Sequence, residues 1–492
     1  VLDIFHDVRG ETWIGTRGGL NLLARSKQVF NNFSALPGDN NYLNSSIIYA
    51  FWIDKNGKIY IGTEDGGINI FDPNLGEYEY LTTNENDPNS ISQNCIKAFL
   101  DDGKGNLWIG TFLGGIDVLN LTTGRITNYA HETNNPGSLA DNRVWDLSID
   151  KNGEIWIGTS QGVDRFDSES NSFVHYPQIF GSEHITWIET DSDNNIWAGT
   201  TDEVIIYNQF TDQINRFKEH SRSFFEDSKN RHWIATFDRG IAAYSKSEGP
   251  LSYYNENDGL ANNQALCILE DSDYNLWIST NNGLSKFNPE SGYFQNFSNN
   301  DGLQNNQFCY GAAYKSDSGE MLFGSISGFN TFNPREIIPF DSNVPIVLTD
   351  LKIFNKTVKI SNDKKAVLTK SISETSELIL DYSQNVFTIE FAALNYVNSE
   401  NNLYSYYLEG FNRDWNEPSK THTATYTNLN PDEYLLHIKQ VIPGNPVENP
   451  ELQIKIIILP PFWKTGWFRA LILITIAFLI YTLVRFFINR EK

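Results

Sequence analysis

Trp108-Ile109-Gly110-Thr111 is one of eight related tetrapeptides in this chain, each a bulky residue leading an Ile-Gly-Thr-like strand end. The others run Trp13 to Thr16, Tyr60 to Thr63, Trp156 to Thr159, Trp197 to Thr200, Trp233 to Thr236, Trp277 to Thr280 and Leu322 to Ser325. Successive copies lie 47, 48, 48, 41, 36, 44 and 45 residues apart. That is the length of four short strands with their turns, the period of a β-propeller blade.

The residues around each tetrapeptide supply the remaining strands. In the second copy the spacing predicts strands over residues 47–52, 58–63, 68–71 and 77–81, with a polar loop over 82–92 leading to the next blade. Six residues before the leading residue stands Asp7, Asp54, Asp102, Asp150, Asp191, Asp227 or Asp271, with Ser316 in the last copy. Such an Asp bonds the backbone N–H groups of its own turn. The Trp is expected to fill the space between blades, and the Gly to let neighbouring backbones approach. Calcium loops are the alternative for Asp191-Ser192-Asp193-Asn194 and Asp271-Ser272-Asp273-Tyr274, but neither extends to a twelve-residue loop closed by Glu.

Composition narrows the function. Among 492 residues, 61 are acidic and 37 basic, a formal charge of −24 that repels nucleic-acid phosphates, so no nucleic acid is expected to bind this portion. Cys95, Cys267 and Cys309 are too few for a disulfide framework and are read as buried apolar fillers, with Cys267 and Cys309 on opposite strand faces. The eight histidines show no metal spacing, and no nucleophile motif appears. Neither a catalytic residue, a metal site nor a cofactor is expected. The repeats look a little like sialidase aspartate boxes, but the sparse arginines do not recur at equivalent positions.

Beyond Asn333-Pro334 the repeat stops, and from about Pro345 the pattern becomes a β-sandwich of roughly a hundred residues. Strands are expected over residues 346–354, 377–380, 386–392, 403–409, 423–426 and 434–441. Trp467 to Phe487 then gives 21 residues, enough to cross a bilayer, with Trp463, Trp467 and Phe468 suited to one interface. Arg485, Arg490 and Lys492 lie at or beyond the other end, which the positive-inside rule places in the cytoplasm. The fold class is therefore all-β: a seven- or eight-bladed propeller, an Ig-like sandwich and a single transmembrane helix, with everything before the helix outside the cytoplasm.

The sandwich carries Tyr404, Tyr406, Tyr407, Leu408, Glu409, Gly410 and Trp415, followed by residues 424–429 and Tyr434. With the repeats before it and Pro460-Pro461-Phe462-Trp463-Lys464-Thr465 after it, this order resembles the extracytoplasmic sensor region of hybrid two-component regulators of Bacteroidetes. The resemblance implies a histidine kinase, receiver and DNA-binding modules beyond Lys492, a second propeller upstream and oligosaccharide ligands. It also implies paired seven-bladed rings, hence seven copies in one ring and the first copy outside it, with the chain read as an internal fragment. Residues 1–45 are then the last blade of an upstream propeller, 46–340 the propeller, 341–459 the triple-tyrosine sandwich, 460–466 a juxtamembrane linker, 467–487 the helix and 488–492 the start of a cytoplasmic region. Asp432, where this domain usually has Gly, and Pro443-Gly444-Asn445-Pro446 depart from the pattern at one sandwich edge.

A sugar site needs aromatic faces and planar polar groups. The loops between second and third strands gather at one mouth of a propeller channel, and they contribute Asp65, Phe112, Phe237, Asp238 and Arg239 as ligand-binding candidates. The partners expected are an oligosaccharide or another periplasmic ligand, the inner membrane and a second copy in a homodimer. A protein-binding scaffold propeller is the competing reading, and a lyase or glycosidase the third.

Overall fold

The computed structural model describes residues 1–7, 11–23, 30–36, 41–337, 344–363, 366–394, 402–441, 451–464 and 466–490. They form two compact units, Val1–Ile338 and Pro339–Lys492.

Seven four-stranded antiparallel sheets make up the ring of the first unit. Their innermost strands are Ile48–Ile53, Ile96–Asp101, Val144–Ile149, Ile185–Thr190, Ser221–Glu226, Ala265–Glu270 and Phe308–Lys315, which open blades 1 to 7 in chain order. Each packs beside the innermost strand of the next blade, and that of blade 7 packs beside that of blade 1. The ring is therefore seven-bladed.

Blade 7 borrows its outer strand from the start of the chain: Asn31–Phe33 pairs antiparallel with Gly328–Phe332. The sequence reading grouped residues 31–33 with the first copy, yet they complete the last blade. Aromatic packing explains the choice. Phe33 stacks on Phe329 at 4.5 Å, and buried Phe30 meets Phe332 at 5.0 Å and Phe297 at 5.5 Å. The rest of the first copy, Asp3–His6, Thr12–Thr16 and Gly19–Leu23, pairs only within its own three-stranded sheet. Leu2, Ile4, Phe5, Leu20 and Leu23 are exposed on it.

The repeat residues hold the blades in ways the sequence suggested only in part. In blade 4, Asp191 Oδ1 accepts the backbone N–H groups of Asp193 and Asn195 at 2.9 and 2.8 Å, as a turn Asp should. Its Oδ2 also accepts the indole N–H of Trp197 at 2.8 Å. The same bond recurs at Asp7–Trp13, Asp102–Trp108, Asp150–Trp156, Asp227–Trp233 and Asp271–Trp277. A buried indole needs an acceptor, and the turn carboxylate supplies it. The recurring Gly makes room for a side chain rather than a backbone: a Cβ on Gly62, Gly110 or Gly158 would lie 2.8–2.9 Å from Ile96, Val144 or Ile185, on the first strand of the next blade. The Thr hydroxyl closes the turn that follows, as when Thr63 Oγ1 donates to the Gly67 carbonyl at 2.9 Å and accepts the Gly66 N–H.

Cys267 and Cys309 are buried, but Cys95 is only half-buried, which corrects the reading of all three as core fillers. It precedes its strand at the rim of the channel, where packing is incomplete.

The second unit is a sandwich of two sheets, ordered Lys356–Thr357, Ile346–Ile353, Val386–Ala393, Thr423–Thr427 and Glu377–Asp381, Glu451–Leu459, Glu433–Val441, Leu403–Glu409. Strand Glu451–Leu459 was not anticipated, because its apolar run abuts Pro460-Pro461 and merges by composition with the approach to the helix. The tyrosines of the signature serve the core. Tyr404, Tyr426 and Tyr434 are buried; the Tyr404 hydroxyl accepts the Ala393 N–H at 3.0 Å, and that of Tyr434 donates to the Asn430 carbonyl at 3.1 Å. Asp432 accepts the Glu433 N–H at 2.9 Å, and its carbonyl takes the Ile458 N–H at 3.0 Å, so the edge accommodates Asp. Residues 443–446 lie outside the described residues. Helix Gly466–Arg490 closes the chain, 25 residues with mean hydropathy 2.5 in its apolar window and none of that window buried. At 1.5 Å per residue it exceeds the ~30 Å hydrocarbon core of a bilayer.

Candidate functional site

Every innermost strand of the ring breaks register near its start. The breaks fall between residues 48 and 50, 96 and 98, 144 and 146, 185 and 187, 221 and 223, and 265 and 267, so Tyr49, Lys97, Trp145, Thr186, Arg222 and Leu266 are the extra residues of β-bulges. Blade 7 carries a wider break between Phe308 and Ala313. Gly311 there takes φ 71°, which favours glycine, and Tyr310 stands beside it. A bulged residue leaves the ladder and its side chain is re-aimed. Repeated seven times at one end of the channel, the device collects a set of side chains around a single mouth.

The loops after the second strands form the rim. The N–H groups of Glu64, Phe112, Ser160, Phe237, Asn281 and Ile326 bond the carbonyls of Ile47, Cys95, Arg143, His220, Gln264 and Gln307, just ahead of the innermost strands. Phe112 meets Trp145 edge-on at 5.4 Å, and Phe237 stacks on His220 at 4.4 Å. The Trp145 indole donates to Ser160 Oγ at 2.8 Å and its ring contacts His184 at 4.7 Å. Tyr310 lies 5.4 Å from Tyr49 and 6.4 Å from Trp145. A cavity of about 240 Å³ opens here, lined by Tyr49, Arg222, Phe237, Tyr310, Gln264, Asn281 and Gln307 among others, with the Asn281 amide donating to Gln264 Oε1.

Two cations sit among these rings. Lys97 is buried at 8% exposure, with Nζ 3.3 Å above the centroid of Tyr49, 5.3 Å from that of Trp145 and 3.4 Å from the Tyr310 hydroxyl. The Arg222 guanidinium lies 4.7 Å over Phe237 and 5.8 Å from the centroid of Tyr310. Burial lowers the pKa of both; for Lys97 nearby Cys95 and Glu64 offset part of the shift. Burial, with the charges of Arg143 and Arg222, also pushes His184 down and favours its neutral imidazole.

Farther along the innermost strands the sign reverses. Asp146 accepts the Ile188 N–H of the next blade at 2.9 Å, and Glu189, one residue further on, lies within electrostatic reach of it. Enclosure by the ring raises the pKa of both carboxyls, and Asp146 raises that of Glu189 further.

Of the residues singled out from sequence, Phe112 and Phe237 stand at this mouth. Asp65 and Asp238 are exposed on the rim turns of blades 1 and 5. Arg239 is drawn to the outer strand of its own blade, where Nη1 donates to the Tyr253 hydroxyl at 3.0 Å and lies 3.9 Å from Glu219. The bulged residues were missed. A positional signal existed, since Tyr49, Lys97, Trp145, Thr186, Arg222 and Leu266 each stand eleven residues before the leading residue of their copy.

The described residues thus combine a seven-bladed ring with a polar-aromatic mouth, a β-sandwich and an exposed apolar helix. Residues 90–112, 138–161, 179–202 and 259–282 match the family described as Two component regulator propeller, and residues 395–459 match the Y_Y_Y domain. The chain superposes with a TM-score of 0.74 on the extracellular domain assigned to hybrid two component system BT3049 from B. thetaiotaomicron, at 27% identity over 93% of this chain and 61% of that one. It is also 27% identical over 351 residues to Histidine kinase P4 of Formosa agariphila, a match covering 67% of this chain and 25% of that protein. The chain thus spans a quarter of that kinase and less than two thirds of the solved domain. It carries the regulator-propeller repeats and Y_Y_Y domain of two-component sensors, and an extracellular domain followed by one apolar helix fits a single-pass membrane protein.

Proposed function

We propose that this chain is the ligand-sensing and membrane-coupling portion of a hybrid two-component sensor kinase, that its ligand is an oligosaccharide held at the propeller mouth, and that a homodimer relays binding to a kinase on the cytoplasmic side. The observation that carries the reading is the ring of bulged residues. Tyr49, Trp145 and Tyr310 are half-buried, so each keeps part of its ring uncovered at a mouth that also presents Gln264, Asn281 and Gln307. Sugar C–H faces stack on such rings, and hydroxyls need donors and acceptors together, which amides supply. Phe112 and Phe237 belong to the same surface, with Asp65, Asp238 and Arg239 reaching any longer ligand from the rim. For binding to switch an output, the ligand must favour one dimer arrangement over the other.

Calorimetric titration of the 492-residue chain in detergent micelles against a panel of glycan oligosaccharides tests this. Binding without turnover, weakened at least tenfold by Trp145→Ala, is the expected result. Binding by no saccharide, or release of cleaved product, would overturn it.

A further inference from the structure

We infer that the propeller mouth selects an acidic sugar unit, one bearing a carboxylate or sulfate whose anionic oxygens sit between Lys97 and Arg222. The inference rests on the reading of the mouth as an oligosaccharide site and adds the chemical class that site prefers.

The argument begins with charge matching. In a chain with 61 acidic residues against 37 basic ones, carboxylates are plentiful, and the partly buried cations on the outer parts of the blades have them. Lys246 lies 2.9 Å from Asp191, Arg231 2.6 Å from Asp227 and Lys286 3.6 Å from Asp271. Among the described residues Lys97 and Arg222 join no ion pair, although they are enclosed by the ring. Aromatic faces compensate part of their charge, yet a ring face accepts nothing in the guanidinium plane: Arg222 Nε is buried without a hydrogen-bond partner. Glu64 is the acidic group that most affects Lys97, and its Oε1 takes the Tyr49 hydroxyl at 3.4 Å.

Two cations that face one ring, that of Tyr310, with no described carboxylate paired to either and with Arg222 Nε lacking an acceptor, match a planar or tetrahedral oxyanion. Arg forks bind such groups through paired hydrogen bonds, while Lys acts as a point charge. The cavity, below the roughly 300–1,000 Å³ of drug-sized sites, suits one terminal unit, with the rest of the saccharide lying outward across the rim.

The test uses the 492-residue chain in detergent micelles, titrated with uronate-containing and sulfated oligosaccharides, with their carboxyl-reduced or desulfated counterparts, and with sodium sulfate alone. The expected result is at least tenfold tighter binding of an acidic oligosaccharide than of its neutral counterpart. Raised salt should weaken it, Lys97→Met and Arg222→Met should each reduce it at least tenfold, and the charge-preserving Lys97→Arg and Arg222→Lys should retain most of it. Equal binding of acidic and neutral forms, unchanged in the Met variants, would overturn the acidic preference and leave the oligosaccharide sensor standing. Sulfate binding as tightly as the acidic oligosaccharide would replace the sugar with a free anion. Absence of binding by every saccharide would remove the sensor reading itself.

Discussion

A single carboxylate does three jobs in the best-formed repeat turn: Asp191 orders the backbone, accepts the indole of Trp197 and neutralises Lys246. Burial alone would lift its pKa, but Lys246, Trp197 and Asn195 outweigh that and hold it below the usual carboxylate range. Replacing Asp191 by Ala leaves the buried indole N–H of Trp197 without its acceptor, while Lys246 keeps Asp193 at 2.6 Å, so the expected loss in urea unfolding is roughly 2 kcal/mol. Asp54→Ala, whose repeat has Tyr60 in place of Trp, should lose only about 1 kcal/mol. Because the folded pKa of Asp191 is depressed, its contribution is present above the ordinary carboxylate pKa and disappears as pH falls through the folded value. The gap between wild type and Asp191→Ala should therefore close in strong acid. Asp146 and Glu189 carry the opposite sign. Their folded pKa values are raised, so they cost nothing below the ordinary carboxylate value and cost increasing stability as pH rises from there up to the folded values. Glu189→Gln should melt above wild type at pH 8, and the two should converge near pH 5; a constant difference would remove the coupling.

Ring closure belongs to the element scale, and it depends on three residues far from the strand they join. Asn31–Phe33 is short, so its hold comes less from ladder bonds than from Phe30 and Phe33 packed on Phe297, Phe329 and Phe332. Phe30→Ala should cost about 3–5 kcal/mol in urea unfolding, the range for truncating a buried aromatic, and should raise proteolysis at blade 7. The same scale explains what could be read from the chain alone. The repeat, its strand positions and the turn Asp were legible because packing forces one residue type at each: an indole between blades, a Gly where Ile96 or Val144 intrudes, a Thr at the turn; the repeats alone left seven or eight blades open. Strand 31–33 was not, since its partner lies some 300 residues away and no local pattern records that. The mouth was half legible. Phe112 and Phe237 follow the Thr of their repeats and could be placed by loop position. The bulged residues were harder to read: their fixed offset of eleven residues is a signal of position alone, since Tyr, Lys, Trp, Thr, Arg and Leu there share no residue type.

At the scale of the whole chain, the membrane end sets what the ring can accomplish. Helix Gly466–Arg490 presents apolar side chains on all sides, as a lipid-facing segment does, so the 492-residue protein should remain with membranes after alkaline extraction while a chain ending at Lys464 should be released. The connection into that helix is short and stiff. Strand Glu451–Leu459 lies inside its sheet, held on one side by Glu377–Asp381 in parallel and on the other by Glu433–Val441. Pro460 and Pro461 follow at once with φ fixed by their rings, and Trp463 in the next turn packs edge-on against Tyr382 of the sandwich at 5.1 Å. A strand seated between two neighbours moves with its sheet, and two prolines leave little slack to absorb that movement before the helix begins. On the proposed reading of the chain as part of a sensor kinase, inserting Gly-Gly-Ser after Pro461 in the full-length protein should therefore leave oligosaccharide affinity within twofold of wild type while reducing the ligand-dependent change in autophosphorylation at least fivefold. Trp463→Ala should fall between the two, because it loosens the turn without lengthening it. An insertion that preserves the full response would mean that the signal does not travel through this connection, and the stiffness of Pro460-Pro461 would then serve only to position the helix.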